Sequence, residues 1–331
     1  MVTMAPLLTV EGLRTTYTVG GREVTVVNGV DFQMERGKTF AIAGESGCGK
    51  TTLGLSIAQL LPSNARIRSG KIVFDGVDLL QMREDDFRRR IRWKKISMVF
   101  QGSMSAFNPV IRVGDQIVEA ITHHETASKS AARERASKLF SAVGISENRL
   151  YSYPHELSGG MRERAMIAMA LASSPDLVIA DEPTTGLDVL VQAQIIGLLR
   201  KLRDDLGRSM ILISHDLSVV AELADECAIM YAGRIVEMGS VRRIFGNPLH
   251  PYTMKLLGAF PGARLEKRIT LVGIPGEPPS FLNPITGCRF NPRCEHAMEV
   301  CRREEPRLVE FERGHFVSCF WREETSGEST R

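Results

Sequence analysis

Residues Gly44 to Thr51 read GESGCGKT and fit the pattern G-x-x-x-x-G-K-[ST]. Glycines at this spacing let successive backbone N–H groups wrap a phosphate, and the helix expected to follow adds its positive end. Lys50 can then reach the outer phosphates of a nucleotide, and Thr51 can offer its hydroxyl to Mg²⁺. A second group is LVIADE, Leu177 to Glu182. Its apolar run delivers an acidic pair to the C-terminal edge of a sheet, where α/β proteins bind ligands. Asp181 there can hold Mg²⁺, directly or through water, and Glu182 can orient and polarise an attacking water. Alone, such a pair could equally cap the next helix; the glycine-rich loop upstream gives it chemical meaning.

The third group is four cysteines, Cys288, Cys294, Cys301 and Cys319, spaced C-x5-C-x6-C-x17-C. They stand among Arg, Pro and short polar stretches with little apolar content, a segment that needs a staple. The chain shows no secretion signal, so a reducing compartment is expected and metal ligation outranks disulfides. Zinc sites usually show a tight C-x₂₋₄-C pair; its absence argues mildly against structural zinc. An iron–sulfur cluster and zinc both stay open on chemistry alone, with unligated thiols behind. Cys48 in the glycine-rich loop and Cys227 at a strand start read as small packing residues, although Cys48 could render the loop sensitive to thiol reagents.

These groups need elements to position them. Leu7 to Met34 alternates apolar and polar residues around Gly20 and Gly21, which predicts a hairpin. Thr39 to Ala43 predicts a buried strand entering the glycine-rich loop, and Thr51 to Leu61 a helix stopping before Pro62. Between Gly102 and Gly160 the chain turns helical, with Val113 to His124 and Ser130 to Val143 carrying apolar residues at spacings of three and four. Leu177 to Ala180, Met210 to Ile213 and Ala228 to Tyr231 are short apolar runs between helical segments, as in a largely parallel sheet covered on both faces. After residue 245, Pro248, Pro251, Pro261, Pro275, Pro278, Pro279 and Pro284 forbid long regular helix. A boundary is expected near Gly246, separating residues 1–245 from 246–331, with Glu323 to Arg331 a frayed tail.

Composition narrows the function classes. The chain has 331 residues, 43% hydrophobic and 24% charged, ordinary for a globular protein. No apolar run of membrane-spanning length occurs, so spanning is expected to fall to other chains. With 42 basic against 39 acidic residues the net charge is +3, which makes no global case for nucleic acid. The local exception, Arg88 to Lys95, reads as a solvated helix face, or as a patch for an anionic membrane leaflet.

LSGGMRER, Leu157 to Arg164, lies between the first two groups, and here the sequence resembles the ATP-binding-cassette (ABC) ATPases. Gln101 in MVFQ is similar to that family's Q-loop, Thr185 to Asp188 (TGLD) to its D-loop, and His215 in LISHD to its switch histidine. The resemblance covers residues 7 to 245. It implies an α/β P-loop NTPase fold of the ABC type, with an antiparallel β subdomain and a helical subdomain. It implies ATP bound by Gly44, Ser46, Gly47, Cys48, Gly49, Lys50, Thr51 and Thr52, with Tyr17 on the adenine and Mg²⁺ held by Thr51, Gln101 and Asp181. Catalysis would fall to Glu182, His215 and Gln101. Ser158, Gly159 and Gly160 would act in trans on a partner's ATP, with Asp188 in the D-loop, which implies a head-to-tail dimer. Met161 departs from the family's commonest LSGGQ.

NPLHPYTMKLL (Asn247 to Leu257), IPGEPPS (Ile274 to Ser280) and GCRFNPRCEHAMEVC (Gly287 to Cys301) resemble the C-terminal extension of dipeptide and oligopeptide importer ATPases. That likeness tilts the four cysteines toward a [4Fe-4S] cluster, with zinc as the alternative. It implies a second cassette ATPase as heterodimer partner, two transmembrane permeases and an extracytoplasmic solute-binding protein, with the chain peripheral on the cytoplasmic face of the membrane. The helical insert, Gly102 to Leu157, is where family members dock their permeases. Relatives with this extension resemble carriers of peptides, oligosaccharides or nickel. A soluble ABC ATPase of DNA repair or translation is the alternative of another class, although the long coiled-coil insertion or second cassette usual there is not seen.

Overall fold

A computed structural model describes residues 5–102, 107–259 and 273–325. The chain runs β1 (Leu8–Val19), β2 (Arg22–Met34), β3 (Thr39–Ala43), α1 (Lys50–Ile57), β4 (Ala65–Phe74), β5 (Val77–Asp78), α2 (Glu84–Arg90) and β6 (Ile96–Val99). It continues through α3 (Val113–His124), α4 (Lys129–Ala142), α5 (Gly159–Ala170), β7 (Leu177–Asp181), α6 (Val189–Leu206), β8 (Ser209–Ser214) and α7 (Leu217–Leu223). Last come β9 (Glu226–Tyr231), β10 (Arg234–Ser240), α8 (Val241–Gly246), α9 (Pro251–Gly258), α10 (Glu299–Arg303), β11 (Val309–Glu312), β12 (His315–Val317) and α11 (Phe320–Thr325). Two compact units emerge: Met1–Met34, Phe40–Val77 and Ile213–Arg331 form one, Glu35–Thr39 and Asp78–Leu212 the other.

The first unit opens on the expected hairpin. β1 pairs antiparallel with β2, closing as Val19 opposite Arg22 around Gly20 and Gly21, and pairs with β4 on its other edge. All five residues of β3 are buried, and β3 runs parallel to β9. Beyond β9 the pairing turns antiparallel, through β10 to β12 and then β11. The proline-rich C-terminal chain thus adds two strands to the sheet that carries the glycine-rich loop. A segment so poor in apolar residues gains its core by joining an existing sheet edge.

The second unit holds the helical subdomain. α3 buries Val113, Ile117 and Ile121, and α4 buries Ala132, Ala136 and Phe140, the spacing of one apolar stripe each. β6 and β7 pair in parallel in the same unit, every residue of both buried. The fold is therefore α/β with an antiparallel layer and a helical subdomain, as expected.

Three expectations shift. The helix foreseen over Thr51 to Leu61 ends at Ile57, because Gln59 takes a left-handed φ of 50°. The basic run is not one helix face: α2 stops at Arg90 inside it, and Arg92 and Lys95 pair with Glu84 at 3.1 Å and Asp176 at 2.7 Å. The tail continues α11 as far as Thr325; residues 326–331, like Pro261, lie outside the described residues. Among the described residues no helix is long and apolar enough to cross a membrane.

Candidate nucleotide site

In the first unit the glycine-rich loop joins β3 to α1. Gly44 sits at φ 152°, and a Cβ there would come within 2.2 Å of the Met230 carbonyl oxygen, so only glycine lets the loop press against β9. No side chain caps α1 and no acidic residue occupies its first turn, which leaves its positive end uncompensated. Lys50, 4% exposed, turns back over the loop and donates to the carbonyls of Gly44 and Glu45, both at 2.9 Å. Tyr17 lies beside α1, its hydroxyl 3.4 Å from that of Thr52. Ser46 and Gly47 are exposed at the loop tip. His215, exposed, follows β8, and the next residue, Asp216, caps α7 through the Ser218 N–H. Cys48 is buried and burial pushes its thiol up, so it fits the packing role and not that of a reactive thiolate.

Sequence reasoning missed the partners of this loop. Glu45 takes both carboxylate oxygens to Arg293, at 2.7 and 2.9 Å, and its N–H donates to the Tyr252 hydroxyl at 2.9 Å. Tyr252 packs with Tyr231 (4.6 Å between centroids) and Phe290 (5.5 Å) under the loop. Nothing in the spacing of Arg293 within NPRC marks it as buried, since arginine is mostly exposed.

In the second unit Gln101 donates to a Glu182 carboxylate oxygen at 2.8 Å, and the Thr185 hydroxyl donates to the same carboxylate at 3.0 Å. Glu182 adopts φ 48°, a conformation unusual for a residue with a side chain. Asp181, one residue earlier, is 1% exposed. The structure thus brings Gln101, Glu182 and the D-loop threonine together. Ser158 is the N-cap of α5 and accepts from the Met161 N–H at 3.3 Å, while Asp188 caps α6 through the Val191 N–H at 3.0 Å. At Gly160 a Cβ would meet Val191 at 2.5 Å, so α5 and α6 touch there. Val189 and Leu190, beside Asp188, are 82% and 71% exposed.

The four extension cysteines line one small cavity together with His250 and Trp321. Burial, and repulsion among the thiols, push Cys288 up to about 12 and Cys319 up to about 11. Among the described residues no three His, Cys, Asp or Glu side chains are gathered closely enough to hold one metal ion.

The fold and the loop define a phosphate-binding cassette, and comparison with known proteins gives the class. The ABC transporter family model matches residues 27–185, and the model for the C-terminal region of oligopeptide/dipeptide transporters matches residues 236–301. The chain is 46% identical to the probable peptide ABC transporter ATP-binding protein y4tR of Sinorhizobium fredii, over 96% of this chain and 95% of that one. It is 45% identical to the dipeptide transport ATP-binding protein DppD of Bacillus subtilis, over 96% and 95%. It is also 45% identical to the oligopeptide transport ATP-binding protein OppD of Escherichia coli, over 95% and 93%. Among solved structures, the dimeric ATP-binding cassette MJ0796 bound to ADP and Pi aligns at a TM-score of 0.64 and 25% identity, over 71% of this chain and 99% of that one. The chain belongs to the ABC transporter ATPases. Within them it is a member of the oligopeptide/dipeptide transporter group of ATP-binding subunits.

Proposed function

We propose that this chain binds and hydrolyses ATP to drive uptake of dipeptides or oligopeptides through partner permeases. The observation that carries this reading is its similarity, along nearly the whole length of both chains, to OppD and DppD, extension included. Lys50 and the loop amides hold the phosphates, Thr51, Gln101 and Asp181 the Mg²⁺, and Tyr17 the adenine. Mg²⁺ held there would supply positive charge against that building on the transferred phosphoryl group. Glu182 aligns the attacking water; the Gln101 and Thr185 bonds supply a way to aim its carboxylate. His215 assists at the γ-phosphate. Ser158, Gly159 and Gly160 complete a partner's site, and the bare Val189 and Leu190 beside Asp188 suit a surface that a second cassette covers.

The partners in this reading are a related second cassette, two permeases and an extracytoplasmic solute-binding protein, with the chain on the cytoplasmic face of the membrane. Val110 and Tyr151, 78% and 53% exposed in the helical subdomain, give a permease apolar purchase. Residues 246–331 act as a module holding a [4Fe-4S] cluster. Cys288, Cys294, Cys301 and Cys319, which line one cavity, would supply its four thiolate ligands. Metal binding would have to displace the protons that burial keeps on Cys288, Cys294 and Cys319.

Purification of the tagged chain from its own membranes in mild detergent, with mass spectrometry of its companions, tests the reading. Permeases, a second cassette and a solute-binding protein are expected, and that protein's ligand should be a peptide. Only soluble ribosomal or nucleic-acid companions would overturn the transport assignment. Anaerobic preparations lacking both iron and acid-labile sulfide would overturn the cluster.

A further inference from the structure

Glu45 places a carboxylate in the loop that is read as binding phosphates, where a free negative charge would repel a nucleotide. Its oxygens are instead drawn to the guanidinium of Arg293, whose side chain is only 5% exposed. Every donor direction of that guanidinium is spoken for. Nη1 and Nη2 meet the two Glu45 oxygens at 2.7 and 2.9 Å, and Nε donates to the Pro275 carbonyl at 3.0 Å. Nη2 also donates to the Ile274 carbonyl at 3.3 Å, and Nη1 lies 3.3 Å from the Tyr231 hydroxyl. An arginine held in this way has no fork left for a phosphate. It acts on the nucleotide only through Glu45.

We propose that Arg293 is a positioning residue of the nucleotide site: the C-terminal extension neutralises Glu45 and holds it aside, so the loop amides and Lys50 present unopposed positive potential to ATP. Tyr252, from the same extension, fixes the Glu45 N–H in register with that pair. The extension thereby belongs to the nucleotide site as well as following it in sequence. The inference rests on the phosphate-binding reading of Gly44 to Thr51.

The test is MgATP affinity of the purified full-length chain. Arg293→Ala is expected to weaken MgATP binding roughly tenfold, in the middle of the range for groups in direct contact, while kcat at saturating ATP changes less than KM. Adding Glu45→Gln to Arg293→Ala should recover most of the lost affinity, and added salt should narrow the gap between Arg293→Ala and wild type. A merely structural arginine would be rescued by neither. Should Arg293→Ala fail to fold, Glu45→Asp asks the same question: it keeps the charge but shortens its reach to Arg293, and should bind MgATP more weakly than Glu45→Gln. Wild-type affinity in Arg293→Ala, no recovery in the double variant, or Glu45→Asp binding as well as Glu45→Gln would overturn the proposal. Lys50→Ala separates the two readings, because unchanged MgATP binding there would sink the phosphate-loop assignment itself.

Discussion

Lys50 and Glu182 are the charged groups on which the proposed reaction turns, and the chain holds them differently. Lys50 is almost fully buried and donates to two backbone carbonyls of its own loop, under which three aromatic rings are packed. Glu182 is half-buried on a left-handed backbone, with the side chains of Gln101 and Thr185 on its carboxylate. The binding group rests on backbone and core, the hydrolytic group on side chains that can rotate. Binding that precedes hydrolysis calls for this division, since the first needs a preformed cradle and the second a group that can be aimed on closure.

The contrast can be broken at several points. Glu182→Gln should cut ATP turnover by about 10²- to 10⁴-fold while leaving MgATP affinity near wild type; a coupled loss of binding in a filter assay would show that the two groups are not separable. Phe290→Ala, against Tyr231 and the Tyr252 that holds the Glu45 N–H, should cost about 3–5 kcal/mol in urea unfolding and lower MgATP affinity with it. Intact affinity in that variant would mean the aromatic cluster does not support the cradle. Gly160→Ala forces Val191 away from α5 and should cost roughly 1–3 kcal/mol. Its MgATP affinity should hold even as ATP-driven dimerisation, followed by light scattering, weakens.

The smallest effect is one of pH. Burial pushes His250 down to about 4 from an ordinary 6.5, and its unprotonated Nδ1 caps α9 by accepting from the Tyr252 N–H at 3.0 Å. The unfolded chain therefore takes up a proton that the folded chain refuses, and stability falls as pH drops from about 6.5 toward 4. The slope approaches about 1.4 kcal/mol per unit. His250→Asn keeps a capping acceptor without the titration, so its unfolding free energy should fall less steeply across that window.

Much of this was legible from the sequence, for local reasons. The hairpin around Gly20 and Gly21, β3 and α3 are short-range patterns, and they fall where periodicity placed them. The glycine-rich loop and the acidic pair were visible as motifs because phosphate chemistry demands fixed residue types at fixed spacing. Arg293, Tyr252 and Glu45 were not, because their meeting joins residues up to 248 positions apart and no local pattern encodes such a distance. The joining of β11 and β12 to the cassette's sheet escaped for the same reason: four and three residues are too short for alternation to speak.

One buried carboxylate carries a consequence for synthesis. Glu237 on β10 accepts from the N–H groups of Leu249 and His250, each at 2.8 Å, and meets His315 Nε2 on β12 at 2.8 Å. His315 leaves the ribosome 78 residues after Glu237, which at 5–20 residues per second is roughly 4–16 s later. During that interval the nascent sheet ends at β10 with its carboxylate still hydrated. The cassette is thus left open at one edge until β12 has been made, and a message truncated before His315 would release a chain with that edge unpaired.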